Sequence, residues 1–124
     1  MILVIEDNPL NVELVTDILE ANGFSVRSAE TAERGLELAR QLSPGLILMD
    51  VHLPGMNGLN ATKILKSDPA TRHLKVVGLT AEAISDDEGA EAAAGFDGYL
   101  AKPIDVRTFA ASVSAFIQKT ETES

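Results

Sequence analysis

The chain has 124 residues, of which 45% are hydrophobic and 23% charged, a size and composition typical of one compact globular domain. Because it contains no cysteine, disulfides, zinc–thiolate sites and cysteine catalysis are excluded, and we expect a cytoplasmic protein. Its net charge of −9 and the lack of any apolar run near the roughly 20 residues of a membrane span argue against nucleic acid and membranes as direct partners.

Short apolar runs alternate with amphipathic segments along the chain. In chain order, the predicted elements are strand 2–5, a helix through residues 14–19 that stops at Asn22-Gly23, strand 24–28, a helix through residues 32–39 that ends before Ser43-Pro44, strand 46–49, a helix after Gly58 to about Ser67, strand 76–79, helix 84–94, strand 98–101 and a last helix. That last helix is predicted to carry on one face Val106, Phe109, Val113, Phe116 and Ile117. The end, residues 119–124, is predicted to be polar and frayed.

This strict alternation predicts an α/β fold, because each strand, helix and next strand forms a right-handed crossover in a parallel sheet. The strand runs are nearly continuous and rich in branched residues, as in strands that helices cover on both faces. For five such units we predict a flavodoxin-like (βα)5 doubly wound sheet with strand order 2-1-3-4-5.

Polar residues follow four of the predicted strands. Glu6 and Asp7 follow the first strand, Asp50 the third, Thr80 the fourth and Lys102 the fifth. In open parallel sheets, ligands bind beyond the carboxyl ends of the strands, beside the point where the strand order reverses. We therefore expect these five side chains to meet at one edge of the sheet.

A single acidic residue after a strand is most often a solvated loop residue or a helix cap, and Asn8 or Asn11 is predicted to cap the first helix. Three carboxylates held together repel one another unless a cation joins them. A hard divalent ion turns that cost into binding, and Mg²⁺ is the natural candidate because it also shares its coordination sphere with phosphate oxygens.

Lys102 and Thr80 complete a phosphoryl site. A lysine ammonium offers a point charge to a phosphoryl oxygen, and a threonine hydroxyl offers a hydrogen bond to another. Asp50 ends a central strand between the paired acids and Thr80, so we predict that it is the nucleophile, while Glu6 and Asp7 are better placed to bind the ion.

Four motifs, VIEDNPLN, LILMDVHLPGMNGL, VVGLTA and GYLAKP, stand in an order and spacing that resemble a response regulator receiver domain of the CheY-like superfamily. The resemblance covers residues 1–119 and leaves 120–124 as a tail. It implies a two-component phosphorelay in which Asp50 accepts a phosphoryl group from a phosphohistidine on a histidine kinase or histidine phosphotransfer protein. Apart from this self-catalysed phosphotransfer and autodephosphorylation, in which water releases the phosphoryl group as phosphate, no enzyme activity is expected. The protein is expected to be a monomer or weak dimer.

The resemblance also implies roles for individual residues. The implied Mg²⁺ ligands are Glu6, Asp7, Asp50 and the backbone carbonyl of His52. The phosphoryl group would be contacted by Thr80 and Lys102, and the Lys102–Pro103 peptide would be cis. Phosphorylation would draw Thr80 inward and let Tyr99 rotate, changing the surface of the fourth helix, fifth strand and fifth helix where a downstream protein docks.

Three features of this chain bear on that expectation. Glu6 stands where the family more commonly has Asp, and its longer side chain would reach the metal either directly or through water. His52 and Glu82 stand at positions that flank the path of the hydrolytic water, so the lifetime of the phosphoryl group is not predicted. The fourth predicted helix contains Gly89 and few large apolar residues, and should therefore be marginally stable.

Several alternatives remain open at this point. A haloacid dehalogenase-type phosphatase would need a second Asp where His52 stands, and a flavodoxin would need phosphate-binding donors where EDNPLN offers carboxylates. A receiver-like module that only docks would not need Asp50, Thr80 and Lys102 together. Within receivers, we expect a stand-alone, DivK-like protein, with a receiver excised from a larger hybrid kinase or transcriptional regulator as the alternative.

Overall fold

The computed structural model of the protein describes residues 1–51, 53, 58–80, 95–102 and 104–123. Four of the sequence predictions lie outside these residues. They are the role of the His52 carbonyl, the position of Glu82, the helix at 84–94 with Gly89, and the Lys102–Pro103 peptide.

Five parallel strands form one sheet in the order β2-β1-β3-β4-β5, which confirms the predicted topology. The strands are β1 (Ile2–Ile5), β2 (Val26–Ala29), β3 (Leu46–Asp50), β4 (Val76–Thr80) and β5 (Gly98–Ala101). The polar residues Asp50 and Thr80 are thus the last residues of their strands. Ile5 pairs with Met49 of β3 and with Ala29 of β2, so β1 lies in the middle of this half of the sheet.

Four helices are described: α1 (Pro9–Ala21), α2 (Ala32–Leu42), α3 (Gly58–Ser67) and the C-terminal helix (Phe109–Glu123). Asn8 caps α1, because its side-chain oxygen accepts a hydrogen bond from the backbone N–H of Leu10 at 3.0 Å. Thr31 caps α2 in the same way through the N–H of Arg34. None of the helices in the described ranges is long and apolar enough to cross a membrane.

The core consists of two layers, one on each face of the sheet. Alternate residues of β1 point into different layers: Leu3 and Ile5 pack towards α2 and α3, and Ile2 and Val4 pack towards α1 and the C-terminal helix. All four are fully buried, as expected for a parallel strand with helices on both sides. Such a strand is a rigid support for the residues that follow it.

The prediction for the start of the last helix is wrong at Val106. The helix begins at Phe109, and Val106 lies in the preceding turn with 60% of its surface exposed. The physical reason is Asp105, whose backbone carbonyl accepts hydrogen bonds from the N–H groups of Thr108 and Phe109 and whose side chain accepts one from Arg107. This turn orients Val106 away from the core.

The backbone of the last helix continues through Glu123, and no glycine or proline interrupts the sequence from Phe109 onwards. That the polar end frays stays a prediction.

Candidate functional site

The carboxyl ends of β1 and β3 bring three acidic residues together. Glu6 and Asp7 follow β1 directly and Asp50 ends β3, and each offers a carboxylate oxygen within 4.8 Å of those of the other two. Glu6 and Asp50 are buried, with 1% and 5% of their surface exposed, whereas Asp7 is exposed. The cluster therefore has two buried carboxylates and one that faces solvent.

Glu6 is held by four hydrogen-bond donors. Its Oε2 accepts the backbone N–H groups of Asp7 at 3.0 Å and Asn8 at 3.4 Å. Its Oε1 accepts the Asn11 side-chain amide at 3.0 Å and the Lys102 ammonium at 2.7 Å. An ionised carboxylate has about four acceptor positions. All four positions of Glu6 are thus occupied by groups of the protein itself.

Lys102 links the two buried carboxylates. Its Nζ lies 2.7 Å from Oε1 of Glu6 and 3.2 Å from Oδ2 of Asp50. Its backbone N–H donates to the carbonyl of Thr80 at 2.8 Å, so the end of β5 is fixed against the end of β4. Burial alone would lower the pKa of Lys102, but the hydrogen bond to Glu6 and the negative charge of Asp50 raise it above its usual value. The ammonium is therefore charged at neutral pH.

The same contacts control the ionisation of Glu6. Burial alone would raise the pKa of its carboxyl, but the hydrogen bonds from Lys102 and Asn11, together with the charge of Lys102, lower it well below its usual value. Glu6 is consequently an anion over the whole physiological range. A buried anion of this kind needs the Lys102 cation beside it.

Thr80 and Tyr99 lie on the next two strands along from Asp50. Asp50 pairs with Leu79 of β4, so Thr80 is one residue further towards the site edge, and its surface is 3% exposed. Tyr99 on β5 pairs with Gly78 of β4; the residue is half-buried and its hydroxyl oxygen is buried. The strand order therefore places all the predicted site residues of the described ranges at or next to one edge of the sheet.

Two residues of the site were not predicted to support it. Asn11 was considered only as a helix cap, yet it donates to Glu6, while Asn8 is the cap. Gly58 begins α3 directly beside the end of β3, where a Cβ atom would collide with the backbone oxygen of Asp50. The two asparagines of EDNPLN and the glycine of MNGL were visible in the sequence, but which atom each residue faces depends on chain segments that meet only in the fold.

Comparison with known proteins identifies the family to which this chain belongs. The family model of the response regulator receiver domain matches residues 2–114. The chain belongs to the response regulator receiver domain family. It is thus a receiver domain of two-component signalling, a family of signalling proteins and not of classical enzymes.

The relatives of this receiver domain agree with that assignment. It is 38% identical over 116 residues to the polar-differentiation response regulator DivK of Brucella ovis, covering 94% of both chains. A CheY-like receiver domain protein from Methanospirillum hungatei has a TM-score of 0.89 at 26% identity, covering 99% of this chain and 97% of its own. The resemblance to DivK-like receivers predicted from the EDNPLN loop is therefore confirmed.

A third relative carries a metal ion. The receiver domain of a sensor histidine kinase from Pseudomonas aeruginosa has a TM-score of 0.82 at 30% identity and covers 95% of this chain and 93% of its own. In that protein a magnesium ion is coordinated in the active-site cleft.

Proposed function

We propose that this receiver domain accepts a phosphoryl group on Asp50 from a phosphohistidine of a histidine kinase or histidine phosphotransfer protein. The observation that carries the proposal is the grouping of three carboxylates within 4.8 Å, with the Lys102 ammonium 3.2 Å from Asp50. In the reaction, a carboxylate oxygen of Asp50 attacks phosphorus, the P–N bond of the donor breaks, and the leaving imidazole takes up a proton.

Lys102 has a clear role in this reaction. It already lies beside the Asp50 carboxylate, so its charge can stay there when the phosphoryl oxygens arrive. Glu6 holds the ammonium from the other side at 2.7 Å, and Asn11 in turn holds Glu6. We infer that Glu6 and Asn11 act mainly by fixing the position of Lys102.

The donor set fits Mg²⁺, which prefers a few carboxylate oxygens and keeps several waters. Asp7 and Asp50, with the backbone carbonyl of His52, would bind the ion directly. Glu6 would reach it only through a water or by giving up one of its four donors. When bound, the ion supplies positive charge to the phosphoryl oxygens. The magnesium-bound receiver from Pseudomonas aeruginosa supports this part of the proposal.

We further propose that Thr80 and Tyr99 transmit the change. Thr80 is buried at the end of β4, at the same edge of the sheet as Asp50. Tyr99 lies on the adjacent strand, β5, and its hydroxyl is buried. A shift of Thr80 towards a phosphoryl group at Asp50 would alter the space beside Tyr99. The downstream target would then dock on the surface formed by β5, the C-terminal helix and the helix predicted at residues 84–94.

One rival function conflicts with the first loop. A flavodoxin-like phosphate site needs free backbone N–H groups after β1, but those of Asp7 and Asn8 donate to Glu6 and that of Leu10 donates to Asn8. With Glu6 and Asp7 also present, this loop would repel a flavin phosphate. An aspartyl-phosphate phosphatase is disfavoured by the family, and a purely docking receiver has no use for the Lys102 contacts.

The proposal is tested by incubating the protein with acetyl phosphate and Mg²⁺ and measuring its intact mass. We expect an adduct of one phosphoryl group in the wild type and in Asp17→Asn, whose acid lies on the exposed face of α1. We expect none in Asp50→Asn and none without Mg²⁺. A wild type without an adduct, or an adduct that persists in Asp50→Asn, would overturn the assignment of Asp50.

A further inference from the structure

Gly78 lies unusually close to two aromatic rings. It pairs with Tyr99 across β4 and β5, and the Tyr99 and Phe96 rings pack together with centroids 5.3 Å apart. A Cβ atom on Gly78 would lie 2.9 Å from Cδ1 of Tyr99 and 3.1 Å from Cε1 of Phe96. Carbon atoms normally pack at about 3.5–4.0 Å, so the rings occupy the space of a side chain at this position.

A glycine in the middle of β4 needs a reason. Glycine weakens a strand interior, and the other four residues of this strand are Val, Val, Leu and Thr. Gly78 does not have a positive φ, so no special backbone conformation requires glycine here. What requires it is the close approach of the rings.

The position of Gly78 connects these rings to the site. Residues two apart in a strand face the same side, so Gly78 and Thr80 share one face of β4. The Tyr99 ring therefore packs on β4 immediately next to the residue that is proposed to move on phosphorylation.

We propose that Gly78 is a positioning residue for Tyr99: the missing side chain lets the ring pack on β4 beside Thr80, and any side chain there drives the ring outward. The inference rests on the proposed switch function of Thr80 and Tyr99 and adds the residue that sets its resting position. An added methyl group that overpacks this site should lower the ratio of the packed to the outward ring by about 5- to 150-fold.

The composition of the chain makes this ratio measurable. Tyr99 is its single tyrosine. Replacing tyrosine by 3-fluorotyrosine during expression therefore labels one position and yields one ¹⁹F resonance from the intact protein. Its H₂O/D₂O isotope shift reports the exposure of the ring, and the same protein in urea supplies the value for full exposure.

Two glycine variants are compared with the wild type. Gly78→Ala is the test, and Gly45→Ala is its control, because a Cβ on Gly45 meets only the Met1 oxygen at 3.7 Å, an ordinary contact. We expect the wild type and Gly45→Ala to share a shielded resonance that shifts with acetyl phosphate and Mg²⁺. We expect Gly78→Ala to have a resonance near the exposed value that does not shift further, although its phosphoryl adduct forms. A wild-type resonance and response in Gly78→Ala would overturn the proposal.

The inference and the proposed function fail separately in this design. If no adduct forms even in the wild type, the phosphoacceptor function is wrong, while the resting resonance of Gly78→Ala still decides whether Gly78 positions the ring. Should Gly78→Ala fail to fold, Tyr99→Ala and the double variant are compared by circular dichroism and urea unfolding. Folding of the double variant would identify the ring as the obstacle and support the proposal, and an unfolded double variant beside a folded Tyr99→Ala would overturn it.

Discussion

The carboxylate of Glu6 is buried, and its charge depends on the groups around it. An isolated carboxylate with 1% of its surface exposed would be strongly destabilising, but Lys102, Asn11 and two backbone N–H groups satisfy it. The sequence left open whether Glu6, in place of the commoner Asp, binds the metal directly or through water. Its four occupied acceptor positions favour a role as the anchor of Lys102.

The lowered pKa of Glu6 predicts an acid-sensitive stability. Its folded pKa of about 2 lies below its usual 4.5, so the stabilisation is fully present above pH 4.5 and is lost as the pH falls towards 2. The free energy of unfolding, measured by urea denaturation, should therefore decline as the pH falls through this window. Glu6→Gln should lack this component, whereas Glu13→Gln, which changes an exposed acid on α1, should retain it. An equal decline in Glu6→Gln and wild type would contradict the prediction.

At the scale of elements, the strands were more predictable than the helix ends. Buried parallel strands leave continuous apolar runs in the sequence, and each of the five predicted runs overlaps an observed strand. The start of the C-terminal helix was misplaced at Val106 because Asp105 forms a turn that apolar spacing does not reveal. The junction between β3 and α3 was equally invisible, since it depends on how closely two elements approach.

That junction leads to a prediction for Gly58. A Cβ there would collide with the Asp50 oxygen and lie 3.0 Å from Cγ of Met49 and Cα of Val51, which are buried and cannot move aside. Gly58→Ala should lower the free energy of unfolding by about 2 kcal/mol in urea denaturation and slow formation of the phosphoryl adduct.

The control for Gly58→Ala is Gly45→Ala, which adds the same methyl group in open contact and should change neither measurement. Wild-type stability in Gly58→Ala would show that α3 can shift away from Asp50 without cost, and the close approach would then not matter for the site.

At the scale of the whole molecule, charge dominates. The net charge of −9 attracts cations of any kind, which screen it without binding at one place. The three clustered carboxylates can in addition bind one Mg²⁺ ion specifically. The receiver family and the magnesium-bound relative agree with this expectation.

Magnesium should therefore raise the thermal stability of the protein beyond the effect of NaCl at equal ionic strength. At free Mg²⁺ tenfold above its dissociation constant, the gain is about 1.4 kcal/mol, measured by thermal unfolding monitored by circular dichroism. Asp7→Asn should abolish the specific gain, because it removes the exposed ligand. Asp17→Asn also removes one negative charge, but from α1 outside the cluster, and should keep the Mg²⁺-specific gain in stability. An equal response of the two variants would mean that the effect is screening.

The sequence by itself determined the α/β class and the strand order, and it predicted which polar residues meet at one edge of the sheet: Glu6, Asp7, Asp50, Thr80 and Lys102. It could do so because alternating apolar runs and strand-end polar residues are local signals, and because parallel topology brings all strand ends to one edge. Only the tertiary structure decided that Asn11 holds Glu6, that Gly58 makes room for Asp50 and that Gly78 makes room for Tyr99. These are distances between segments far apart in the chain, and side-chain packing at ångström precision leaves no periodic signal in a sequence.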